Sequence, residues 1–122
     1  YELSREEYEK IRQLMLKQKM MGLALDAGGH LTHGYRHNVS AKMMQAVSYG
    51  VDPKTELIDY QVMQRQVKQE KPTILVGGYS AYPRLVNFAK MREIADSVGA
   101  VLLVDMAHFS ALVAGKALTG EY

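Results

Sequence analysis

A chain of 122 residues, 48% hydrophobic with a formal charge of +2, has the size and apolar content of one folded domain rather than the composition of a disordered chain. Acidic and basic residues are interspersed, so no basic face for nucleic acid stands out, and no apolar run reaches the length of a membrane span. The absence of cysteine excludes disulfides and thiolate metal sites, and fits a reducing, cytoplasmic setting.

Ser4-Arg-Glu-Glu7 reads as a capping box, with Leu3 and Tyr8 in the staple positions around it. Tyr8, Ile11, Leu14 and Met15 then repeat at spacings of three and four, which predicts a helix over 5–19 with its apolar stripe on the sheet. Met21-Gly-Leu-Ala-Leu25 is expected to be a strand. The Gly-rich, polar segment 26–34 that follows is expected to be a loop. Residues 46–49 form a weaker strand candidate, closed by Gly50 and Asp52-Pro53. Asp59 is a candidate N-cap for a helix carrying Tyr60, Met63 and Val67 inward and ending before Pro72. Thr73-Ile-Leu-Val76 reads as a buried strand stopped by Gly77-Gly78. Asn87 caps a further helix with Phe88, Met91, Ile94, Ala95 and Val98 inward, closed by Gly99, and 100–104 is the last strand. Helices alternating with continuous apolar strands predict an α/β fold: a mostly parallel sheet of about four strands, joined by right-handed crossovers and flanked by helices.

In open α/β sheets ligands bind beyond the carboxyl ends of the strands. Three polar clusters follow directly on predicted strands: 28–34, 77–82 and Asp105-Met-Ala-His108. Parallel strands would gather all three on one rim. Asp105 either caps the turn after its strand or is a half-buried carboxylate held for a cationic ligand group. His108 reads as structural when taken alone, Ser80 as a turn residue, and Tyr79 and Tyr82 as surface aromatics or core filler. The histidines at 30, 33 and 37 raise the question of a metal, but such spacing gathers ligands only on a helix, and Gly28, Gly29 and Gly34 argue against one. No metal site is expected. Gly28-Gly29 also lacks the spacing and the Lys-Ser/Thr ending of a phosphate loop. The eight methionines read as flexible core filler.

Four stretches, Gly28-Gly-His-Leu-Thr-His-Gly34, Gly77-Gly-Tyr-Ser-Ala-Tyr-Pro-Arg84, Met91-Arg-Glu-Ile-Ala-Asp96 and Leu103-Val-Asp-Met-Ala-His-Phe-Ser110, closely resemble serine hydroxymethyltransferase, a fold-type I enzyme using pyridoxal phosphate. The resemblance runs over about residues 21–115 and covers part of the large cofactor-binding domain. It implies that Asp105 pairs with the pyridine nitrogen, that His30 stacks on the ring, and that His108 and Ser80 surround the phenolic oxygen and the substrate-derived group. His108 and Ser80 are thereby the catalytic candidates. Leu31 and Gly29 fall in the loop that borders folate.

Nothing in the chain matches the family's Thr-His-Lys-Thr type motif with its Schiff-base lysine; Lys116 stands in an unrelated Ala-Gly-Lys-Ala context. Residues 1–20 are expected to be a leading amphipathic helix outside the family pattern, with 21–122 a partial cofactor-binding domain. The parent reaction interconverts serine and glycine with pyridoxal phosphate and folate. The chain alone is expected to be inactive and to bind the cofactor weakly or not at all. The alternative is a designed or chimeric α/β segment without biochemical activity, and a third reading is a small-ligand or metal binder using the histidine-rich loop. Exposed sheet edges lead us to expect a homo-oligomer.

Overall fold

The computed structural model describes residues 2–35 and 37–117. Four parallel strands form one sheet in the order β2-β1-β3-β4: β1 (Lys19–Leu23), β2 (Gln45–Tyr49), β3 (Ile74–Gly78) and β4 (Val101–Asp105). The α-helices among the described residues are α1 (Arg5–Leu16), α2 (Leu31–Gly34), α3 (Val39–Met43), α4 (Tyr60–Glu70), α5 (Phe88–Asp96) and α6 (Ser110–Ala114). The expected α/β class and parallel pairing are what the structure contains. Among the described residues, no helix is long and apolar enough to cross a membrane.

The expected caps form. The Ser4 hydroxyl accepts from the Glu7 amide at 3.2 Å while the Glu7 carboxylate accepts from the Ser4 amide at 2.8 Å. Asp59 accepts from the amides of Gln61 and Val62, and Asn87 from that of Lys90. Gly99, at φ +70°, turns the chain out of α5 in the left-handed conformation that glycine adopts freely.

Register sorts the sheet residues into two faces. Met21, Leu75 and Leu102 lie in one row, and Gly77 pairs with Val104 on the same face. Against this face pack α4, through Met63 and Val67, and α5, through Phe88, Met91, Ile94 and Ala95. Tyr49 reaches through this core to donate its hydroxyl to the Val76 carbonyl at 2.9 Å; burial pushes its phenol pKa up, so it stays neutral. Met20, Gly22, Val76 and Gly78 belong to the opposite face, where α2 stands over β1.

Several boundaries differ from the sequence expectation. α1 stops at Leu16 because pairing with β2 draws Lys19 to Leu23 into β1, two residues earlier than expected. Leu25, expected to end the strand, instead opens a short 3-10 turn, Leu25–Ala27. Gly77 and Gly78 do not stop β3 but complete it: an added Cβ at Gly77 would meet Phe88 at 3.0 Å, and one at Gly78 would meet the Asp105 Cβ at 2.8 Å. α3 and α6 were not expected at all.

The largest departure is α1. None of its residues is buried, and Tyr8, Ile11 and Leu14 are 55%, 43% and 61% exposed. The stripe expected on the sheet does not pack there, since α4 and α5 fill one face and α2 and α3 lie nearer the other; its principal neighbour is α3.

Candidate functional site

The site grows from the end of β4. Asp105 is the last strand residue, half-buried on the face opposite the α4–α5 core. Its Oδ1 accepts from the Ala107 amide at 3.2 Å, so the carboxylate does cap the following turn. That bond fixes one oxygen and leaves Oδ2 directed 3.9 Å from Nε2 of His33. Gly78 makes room for this arrangement by letting the Asp105 backbone and Cβ approach β3 closely.

His33 was not among the expected site residues. The segment 31–34, expected as loop, closes one helical turn because the His30 Nδ1 accepts from the Thr32 amide at 3.1 Å. That turn carries His33 down onto β1, where Gly22 has no side chain; a Cβ there would stand 2.9 Å from His33 Nδ1. The His33 side chain is 2% exposed, and neither ring nitrogen has a hydrogen-bond partner. Burial lowers its pKa, opposed by the Asp105 carboxylate and reinforced by His30, so the ring is held neutral. Gly22, a glycine inside the strand, is the one sequence signal that could have announced a side chain seated on it.

Two more rings complete the group. His30 lies 5.9 Å from His33 and 5.3 Å from His108, with tilted planes. His30 is half-buried and His108 exposed. One ligand atom each from His30, His33 and Asp105 falls within 4.8 Å of the others. His37, by contrast, points elsewhere and meets Tyr35 edge-on at 5.3 Å.

The remaining expected residues frame the rim. The Ser80 and Ala81 amides both donate to the Gly28 carbonyl, at 3.0 and 3.1 Å, which ties the segment after β3 to the one after β1. The Ser80 side chain is exposed. Gly29 is buried, and any Cβ on it would strike the Leu23 carbonyl at 2.0 Å. Leu31 is 52% exposed at the start of α2. Tyr82 proves to be core, its hydroxyl accepting from the Ile58 amide at 3.1 Å, and Tyr79 stacks on Phe109 at 5.1 Å.

All three polar clusters therefore share the carboxyl edge, and the strand order reverses around β1, where the chain runs outward to β2 and then back to β3. Fold and rim together define an α/β protein whose carboxylate and imidazoles gather at the carboxyl edge of a parallel sheet, where folds of this kind bind their ligands.

The comparison with known families narrows this class. The sequence profile described as serine hydroxymethyltransferase matches residues 7–121, and the chain belongs to that family. It is 56% identical over 120 residues to serine hydroxymethyltransferase of Mycolicibacterium smegmatis, covering 98% of this chain and 24% of that protein. The Treponema pallidum serine hydroxymethyltransferase is 59% identical over 119 residues, covering 98% of this chain and 21% of the relative. Serine hydroxymethyltransferase 1 of Rhodospirillum rubrum is 57% identical over 96 residues. The chain thus spans about a quarter of the length of the curated relatives it matches. The profile begins at residue 7, inside α1, and so takes in most of the segment expected to stand outside the family; a designed or chimeric origin has no support in these matches.

Proposed function

We propose that this chain is a segment of a pyridoxal phosphate-dependent serine hydroxymethyltransferase and supplies the ring-nitrogen and ring-face part of its cofactor site. The observation that carries the reading is Asp105, whose capped carboxylate keeps Oδ2 at the rim beside the imidazoles of His30 and His33. When bound, pyridoxal phosphate withdraws electrons from the substrate's α-carbon into its ring. Asp105 would hold the proton on the pyridine nitrogen, because an ionised carboxylate at a half-buried position stabilises a facing cation. His30 would lie against the ring and fix its plane. His108 and Ser80 would donate or accept hydrogen bonds at the ring's other polar substituents. Gly29 and Leu31 would border the folate partner, the buried glycine setting the loop and the exposed leucine offering an apolar contact.

In this reading the longer protein exchanges a one-carbon unit between serine and folate, and the amine nucleophile comes from outside these 122 residues. The chain by itself binds the cofactor weakly and turns nothing over. Adding pyridoxal phosphate, reducing with borohydride and mapping adducts by mass spectrometry tests this. We expect scattered, substoichiometric labelling of lysines. One stoichiometric adduct on a single lysine would sink the claim that the amine lies elsewhere. β2 and β4 are the edge strands, and we expect them to pair copies of the chain into a dimer or larger assembly. A monodisperse monomer in light scattering would count against that expectation.

A further inference from the structure

Among the described residues, His33 is the buried side chain whose polar atoms lack partners. A buried imidazole with both nitrogens unpartnered is costly, because each polar atom has lost water and gained nothing. The carboxylate facing it stands at 3.9 Å, too far for a hydrogen bond. A cation placed between them would engage His33 Nε2 and the carboxylate together.

We propose that His30, His33 and Asp105 form a site for one divalent cation of the Zn²⁺ type, a ligand beyond the organic cofactor of the preceding reading. The donor set is two imidazole nitrogens and one carboxylate oxygen, which suits a borderline metal better than the oxygen-seeking Mg²⁺ or Ca²⁺. Tetrahedral zinc with bonds of about 2.0–2.2 Å sets neighbouring ligand atoms about 3.3 Å apart. The three ligand atoms already lie within 4.8 Å of one another, so closure shortens the widest spacing by about 1.5 Å.

Two of the ligands are already seated. Gly22 seats the His33 ring, and the Ala107 amide holds Asp105 Oδ1 so that Oδ2 faces inward. His33 is kept neutral by burial, which leaves a lone pair for a metal. His30 Nδ1 is engaged by the amide of the exposed Thr32, a bond that water takes over when the ring turns toward a cation. Three protein ligands leave a fourth position open to solvent. Since His30 and Asp105 also serve the proposed cofactor site, cation and cofactor occupy the rim as alternatives.

The test is a zinc titration of the purified chain, stripped with chelator and free of pyridoxal phosphate, read by calorimetry and by metal analysis after dialysis. We expect one Zn²⁺ per chain. Asp105→Asn and His30→Ala, both at partly exposed positions, should each weaken binding roughly tenfold or more. His33→Gln should do the same, with circular dichroism checking that this buried variant folds. His37→Asn, outside the set, should bind as the parent does. The proposal is overturned if no zinc is retained, if Asp105→Asn and His30→Ala bind like the parent, or if His37→Asn weakens binding equally. Because no cofactor is present, failure here leaves the cofactor reading standing, and failure of that reading leaves the zinc stoichiometry unchanged.

Discussion

Met21 and Leu75 are wholly buried beneath α4 and α5, whereas Val101 and Leu103, on the other face of the same sheet, are 60% and 46% exposed. The first surface is closed by chain that follows its own strands within a few dozen residues. The second is apolar but open along β4, and it is the surface that carries Asp105. Stability and the candidate chemistry therefore occupy opposite faces. The closed face fixes strand positions, and the strand ends then deliver the site residues to the rim. A buried face tolerates little, while an open one can change side chains at small cost to folding.

That contrast makes graded predictions. Leu75→Ala removes a fully buried side chain from the closed face and should destabilise by about 2–5 kcal/mol in urea unfolding, enough to unfold a marginal chain. Gly22→Ala comes next: its Cβ would press on the His33 ring at 2.9 Å, so we expect a loss of about 1–3 kcal/mol and a displaced His33 in a structure of the variant.

A pH effect should follow, smaller than these. His33 has a folded pKa below its ordinary value of 6.5, so the unfolded chain binds the proton more readily. The stability this group contributes is complete above about pH 6.5 and is lost as pH falls through that value toward the lower folded pKa. Unfolding midpoints at pH 7.5 and 5 should therefore differ, and the difference should shrink in His33→Gln. The carboxylates lowered by their partners, Asp52 by backbone amides and Asp96 by Arg92, act only at more acid pH, which separates the two windows. Last, Val101→Thr and Leu103→Thr should each change stability by no more than about 0.5 kcal/mol, since neither side chain is held in a packed core. A large loss at either position would erase the distinction between the faces.

Much of the fold was legible because local signals agreed with tertiary ones. Asp59, Asn87 and Gly99 mark helix ends by their own hydrogen bonding and dihedral needs, and continuous apolar strands imply burial on a parallel sheet. The convergence of three polar clusters on one rim followed from strand direction alone. What was not legible depended on partners distant in sequence. The stripe of Tyr8, Ile11 and Leu14 announces an amphipathic helix but not what covers it. His33 looked like one more loop histidine because its seat is made by Gly22, and its neighbour Asp105 lies seventy-two positions further along. Gly77 and Gly78 looked like punctuation, yet they are strand residues selected by close packing against Phe88 and Asp105. In each case the sequence pattern was read for its usual local meaning, and a contact across the sheet decided otherwise.

The central claim is that Asp105 and the imidazoles beside it form a cofactor-facing rim. It is tested most directly by following the histidine ring resonances in nuclear magnetic resonance as pyridoxal phosphate is titrated into the chain. The account predicts shifts at His30 and His108 that vanish in Asp105→Asn. Shifts that persist unchanged in Asp105→Asn, or no shift in the parent chain at saturating cofactor, would contradict it.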